Sequence, residues 1–110
     1  MQVVLGQEAS SLDSVDNRRR LETVVPAGAD LVVLAEAWQR HFGKPGSDLR
    51  PYAEPLDGPF VTEVERLAEE RHTTIVAGMF ERADATPDGT PYNTVVVRGG
   101  AHLDYRKIHL

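Results

Sequence analysis

Apolar residues along this chain fall either in short continuous runs or at spacings of three and four. The two patterns alternate. Val3-Val4-Leu5 is a short run that predicts a buried strand. From 10 to 25 the apolar positions are Leu12, Val15, Leu21, Val24 and Val25, a spacing that predicts an amphipathic helix interrupted near Arg18-Arg19-Arg20. Pro26 and Gly28 close it. Leu31-Val32-Val33-Leu34 is unbroken and suits a strand covered on both faces. Residues 43–59 carry Pro45, Gly46, Pro51, Pro55, Gly58 and Pro59 and predict a loop. Phe60, Val64, Leu67 and Ala68 then share one helical face, with Pro59 in the first turn, where its missing N–H costs little. Residues 73–80 predict a strand, 84–91 a turn-rich loop and 93–98 a valine-rich strand. Gly99-Gly100 predicts a tight hairpin, with 101–108 returning. The order β-α-β-loop-α-β-β-β predicts an α/β fold, a mixed sheet with helices on one face.

At 110 residues the chain fits one domain, and no repeat or linker divides it. Its 17 acidic and 12 basic residues give a net charge of -5. That surface repels phosphate backbones and argues against general nucleic-acid binding. Arg18-Arg19-Arg20 is too short for a phosphate clamp and reads as a solvated helix face. No apolar stretch approaches the ~20 residues of a membrane helix. The N-terminal segment lacks the basic and apolar regions of a signal peptide. There is no cysteine, so disulfides and thiolate metal sites are excluded. These features predict a cytoplasmic protein.

Two residues stand where chemistry could occur. Glu36 follows the run 31–35, at the carboxyl end of a buried strand, where ligands sit in α/β folds. Partial burial would raise its pKa and suit it to proton transfer. The alternative is a carboxylate opening the next helix. Lys107, near the end of the last strand, could stabilise an oxyanion by charge. Its alternative is an edge-strand lysine that discourages sheet pairing. Elsewhere, His41, His72, His102 and His109 lack metal-ligand spacing and are expected to lie at the surface or to support motifs. Gly43-Lys44-Pro45-Gly46-Ser47 lacks the order of a phosphate loop. Ser10 and Ser11 suit helix capping. Trp38 suits either a pocket wall or the core. Asn93 is expected to bond nearby backbone.

The segment 28–36, ending in Glu36, resembles the glutamate motif of the nitrilase, or carbon–nitrogen hydrolase, superfamily. Ile75-Val76-Ala77-Gly78 is similar to that family's strand after the second helix. Tyr92-Asn93-Thr94 resembles its Tyr-Asn-Ser/Thr motif, and Tyr105-Arg106-Lys107-Ile108-His109-Leu110 its lysine motif. The blocks follow the family's order across nearly the whole chain. Ala35 departs from the usual proline before the glutamate, which leaves the aim of Glu36 open. Pro26 interrupts what is usually a longer first helix.

The resemblance implies the first part of an α-β-β-α sandwich and hydrolysis of non-peptide carbon–nitrogen bonds. Glu36 would be the general base and Lys107 the oxyanion stabiliser, with no metal or organic cofactor needed. The family's cysteine nucleophile is absent, so residues 1–110 are expected to be a truncated domain, inactive alone. Residues 51–59 are similar to the corresponding loop of the omega-amidase and deaminated-glutathione amidase groups, which implies small carboxylate-bearing amides as substrates of the full-length parent. An uncovered sheet face predicts marginal stability or homo-oligomers. The competing expectation is a noncatalytic binding or dimerisation module.

Overall fold

A computed structural model describes residues 1–83 and 86–107. Among the described residues five strands form one sheet in the order β1-β2-β3-β4-β5, with β1 at Val3–Gly6, β2 at Leu31–Leu34, β3 at Thr74–Glu81, β4 at Tyr92–Arg98 and β5 at Leu103–Arg106. Strands β1, β2 and β3 pair in parallel, and β3, β4 and β5 pair antiparallel. Helix α1 (Ser14–Val24) connects β1 to β2, and α2 (Pro59–Glu70) leads into β3. The mixed sheet and its element order agree with the sequence pattern. The long loop adds a short 3-10 turn at Arg50–Tyr52 and a single bridge from Glu54 to Glu81.

Helix α1 starts later than the apolar spacing predicts. Asp13 is its N-cap, and one side-chain oxygen accepts from the N–H groups of Val15 and Asp16 at 3.0 and 3.2 Å. The serines expected to cap do other work. The Ser10 hydroxyl donates to the Ala37 carbonyl at 2.9 Å, while Ser11 meets the Asn17 side chain. Helix α2 begins at Pro59 as predicted. Its N-cap, Gly58, has no side chain to offer, so the Glu54 carboxylate accepts from the Phe60 N–H at 2.8 Å.

Period-two alternation sorts the strands onto two faces. Val32, Ile75, Ala77 and Val96 join Leu21, Trp38, Phe60, Val64 and Leu67 in a core between the sheet and both helices. Opposite it, register partners Leu5, Val33, Val76, Val97 and Leu103 form an apolar row across all five strands. At the ends of this row Leu5 is 61% exposed and Leu103 58% exposed.

The last hairpin is wider than predicted. Four residues, 99–102, separate β4 from β5. Arg98 fills the gap, donating to the carbonyls of Val97 and Leu103 and pairing with Glu65 and Asp104. The return strand is correspondingly shorter, and Ile108, His109 and Leu110 of the lysine motif lie outside the described residues. The basic run is not simply solvated either. Arg20 pairs with Glu8 at 3.0 Å and stacks 5.1 Å over the Trp38 ring. Among the described residues no helix is long and apolar enough to cross a membrane.

Candidate active site

Strand β2 pairs with β3 only as far as Val33 and Val76. Past that point other segments satisfy the edge of β3. The Gln39 N–H donates to the Gly78 carbonyl at 3.1 Å, and its side-chain oxygen accepts from the Phe80 N–H at 2.9 Å. Glu54 then takes over, its N–H donating to the Phe80 carbonyl at 3.0 Å and its carbonyl accepting from Arg82 at 2.9 Å. Gln39 is fully buried and also donates from its side chain to the Tyr52 carbonyl and the Glu54 carboxylate. A buried amide whose groups are all engaged fixes its segment firmly.

Glu36 lies in the turn between Val33 and Gln39. The next residue, Ala37, has a φ of 55°, unusual for a residue with a side chain. The turn is nonetheless held closely. Ala37 is buried, its carbonyl accepts from Ser10, and Trp38 is buried with its indole N–H donating to the Asn17 carbonyl at 3.1 Å. Glu36 does not open a helix, and Trp38 belongs to the core rather than to a pocket wall.

The Glu36 carboxylate accepts from the Lys107 ammonium at 2.6 Å, across 71 positions of sequence. Lys107 follows the last residue of β5, and its N–H donates to the Asn93 carbonyl at 2.8 Å, continuing the β4–β5 ladder. The Lys107 hydrogen bond, then its charge, hold Glu36 below the usual carboxylate range, and the Asn93 side chain adds to this. The expected raised pKa is therefore not observed. The Glu36 side chain is 60% exposed, too open for desolvation to win. The Asn93 side chain lies close enough to Glu36 to favour its charged form, and its side-chain oxygen is buried without a partner among the described residues.

A cavity of about 410 Å³ has Asn93 in its wall, while Glu36 and Lys107 are not among its lining residues. Phe42 and Phe80 meet edge to face there, their ring centres 5.1 Å apart. Arg50 also lines it, bonded to the Asp48 carboxylate and the Asp88 carbonyl. Among the described residues no cluster of three His, Asp or Glu could hold a metal.

Sequence reasoning singled out Glu36 and Lys107, which the structure brings together, and gave no part to Gln39, Glu54, Glu81 or Arg106. Glu81 is 4% exposed and accepts from the Thr94 hydroxyl at 2.8 Å and from two Arg106 nitrogens at 2.9 and 2.7 Å. Arg106 holds it below the usual carboxylate range. A charge closing an apolar strand was the one available signal.

Residues 6–110 match the sequence profile of the Carbon-nitrogen hydrolase family. Two proteins of Mycobacterium tuberculosis, Hydrolase MT0498 of strain CDC 1551 / Oshkosh and Hydrolase Rv0480c of strain ATCC 25618 / H37Rv, are each 38% identical over 121 aligned positions. The alignment takes in all of this chain and 40% of each relative, so the chain spans well under half their length. In fold, the chain is similar to a CN-hydrolase superfamily protein from Xanthomonas campestris with an arsenic adduct in its active site. The TM-score is 0.79 at 22% identity, over 98% of this chain and 40% of that one. An N-terminal amidase with a Gln-Gly peptide gives 0.76 at 20% identity, over 98% and 28%. Nit3 of Saccharomyces cerevisiae, a member of branch 10 of the nitrilase superfamily, gives 0.70 at 21% identity, over 98% and 44%.

Proposed function

The chain belongs to the carbon–nitrogen hydrolase family, and on that premise we propose that it supplies the general base and the oxyanion-stabilising cation of an amidase. The 2.6 Å contact between Glu36 and Lys107 carries this reading. It unites a residue from each of two motifs in one ion pair, and Lys107 is bonded to Asn93, a residue of the cavity wall.

In the proposed reaction a cysteine thiol from outside these residues gives its proton to Glu36, and the thiolate attacks the amide carbonyl carbon. Glu36 is kept ionised by Lys107, so it is ready to accept the proton but is a weak base. Protonation of Glu36 then frees the Lys107 charge from its partner. That charge becomes available to the oxyanion forming on the carbonyl. The amine leaves with a proton returned from Glu36. Water, deprotonated by the same carboxylate, releases the acid. Lys107 thus serves whichever neighbour is anionic.

The substrates proposed are small carboxylate-bearing amides, supported by the resemblance of residues 51–59 to the omega-amidase and deaminated-glutathione amidase loops. Arg50 is the cavity cation that such a carboxylate could address, in competition with Asp48.

Residues 1–110 contain no cysteine, and losing a nucleophile costs about 10⁶ in turnover. The pure chain should therefore leave monoamides of small dicarboxylic acids untouched, and robust hydrolysis would overturn the proposed chemistry. The positive test joins these residues to the remaining portion of Hydrolase Rv0480c. The hybrid should hydrolyse members of an amide panel. Lys107→Met should lower kcat by about 10²–10³, and Glu36→Gln should also inactivate it. Full activity in either variant would sink the assignment.

The open apolar row from Leu5 to Leu103 favours a second reading, a noncatalytic module that pairs through its sheet. Sedimentation of the chain, with Leu5→Glu and Leu103→Glu as controls, tests it. A monomer at all concentrations would exclude self-association through that face.

A further inference from the structure

We propose that Glu81 and Arg106 are positioning residues that clamp the end of β5 and so set which face of the sheet Lys107 occupies. This rests on the reading of Glu36 and Lys107 as the functional pair and extends it to the groups that hold the pair together.

Strand β5 is a poor platform by itself. It has four residues, all exposed, and lies at the sheet edge. Short edge strands fray readily. A slip of one residue would carry every side chain to the opposite face, taking the Lys107 ammonium away from Glu36.

The structure supplies a clamp at the needed position. Arg106 and Lys107 are consecutive, so alternation sends them to opposite faces. Arg106 pairs in register with Thr94, and Thr94 with Met79. On that face the guanidinium reaches past β4 to the Glu81 carboxylate on β3, with two nitrogens on its two oxygens. The Thr94 hydroxyl bonds the same carboxylate, tying β4 into the clamp. The guanidinium also lies 4.2 Å over the Tyr92 ring. Lys107 emerges on the other face, its N–H on the Asn93 carbonyl and its ammonium on Glu36. A bidentate fork has one good geometry, and a lysine in its place would supply charge without it. The arginine and lysine of the motif therefore divide the work: one fixes the register of the strand, the other acts.

The test uses the 110-residue chain and follows the Glu36 carboxyl by carbon-detected NMR titration, together with exchange at the Lys107 amide. In the native chain Glu36 should titrate below 4.5, its ordinary value, and Lys107→Met should return it there. Arg106→Met should do the same without touching either partner. It should also speed Lys107 amide exchange by about tenfold or more while the β3–β4 amides stay protected. Glu81→Gln should match it, and Arg106→Lys should restore the low midpoint only in part. Arg106 is 53% exposed, so its variants test the clamp even where Glu81→Gln fails to fold. A depressed Glu36 midpoint that survives Arg106→Met would overturn the clamp and leave the pair intact. An ordinary midpoint in the native chain would remove the pair, and the clamp with it.

Discussion

Ala37 rests directly on Gly78. A methyl group added at Gly78 would lie 2.8 Å from the Ala37 nitrogen and 3.4 Å from its Cα, both backbone atoms that cannot swing aside. The turn carrying Glu36 therefore crosses β3 at the one residue without a side chain. Gly78→Ala should lower stability by about 1–3 kcal/mol, the usual cost of overpacking. It should also move Glu36 relative to Lys107. Urea unfolding followed by fluorescence of the buried Trp38 measures the first effect. An unchanged midpoint would show that the turn can lift away freely.

Gly99 offers a harsher test at the other end of the sheet. Its φ is 123°, and an added methyl would lie 2.3 Å from the Thr73 carbonyl oxygen. Gly99→Ala combines strain with a clash and should cost at least ~1–3 kcal/mol. Thermal unfolding should show a clearly lower Tm, with no effect on the Glu36 titration if the two ends are independent.

Much of this architecture could be read from the sequence. The runs at 3–5 and 31–34, and the helical face of Phe60, Val64, Leu67 and Ala68, are local patterns that burial enforces, and they fixed the element order. Glu36 and Lys107 were found through motif resemblance. Their contact spans the chain and no local pattern encodes it. The acid strength of Glu36 was misjudged because position along a strand does not reveal exposure. The Asp13 cap was missed because Ser10 and Ser11 are equally good formers of such caps, and only the packing of Ser10 against Ala37 separates the roles. Gln39 was invisible for a related reason: a glutamine that imitates a strand is indistinguishable in sequence from one in solvent.

Gln39→Leu should test that imitation. The change keeps the volume but removes the acceptor for the Phe80 N–H and the donor to the Tyr52 carbonyl. Buried groups left unpaired cost about 1–3 kcal/mol. The expected outcome is a loss in that range by denaturant titration, with faster exchange of the Phe80 amide. Neutral behaviour would mean that water substitutes at this edge.

The pH dependence of stability has a defined sign. Glu36 has a folded pKa below its ordinary 4.5. Its stabilising contribution is complete above the unfolded value and disappears as pH falls through the lower folded value. The pair is open to solvent, so the amplitude should be ~0.2–1 kcal/mol. Glu36→Gln should flatten that part of the acid limb. Glu81, depressed by Arg106 and buried, should account for a larger share of the remaining slope, with Glu63 also contributing. Unfolding free energies measured between pH 6 and 3, about the span of these titrations, would check this. An unchanged slope in Glu36→Gln would contradict it.

The edge of β3 passes from β2 to Gln39 and then to Glu54, and this succession frees the stretch between the last two. Chain from 40 to 53 is pinned where it leaves and where it returns, while the carboxylate at 36 is secured before it begins. Lengthening or rewriting that stretch would recontour the wall holding Phe42 and Arg50 without disturbing the acid. On the proposed reading of the pair, such an arrangement separates the shape of the cavity from the residues that act, and it marks this span as the natural place to graft a new preference.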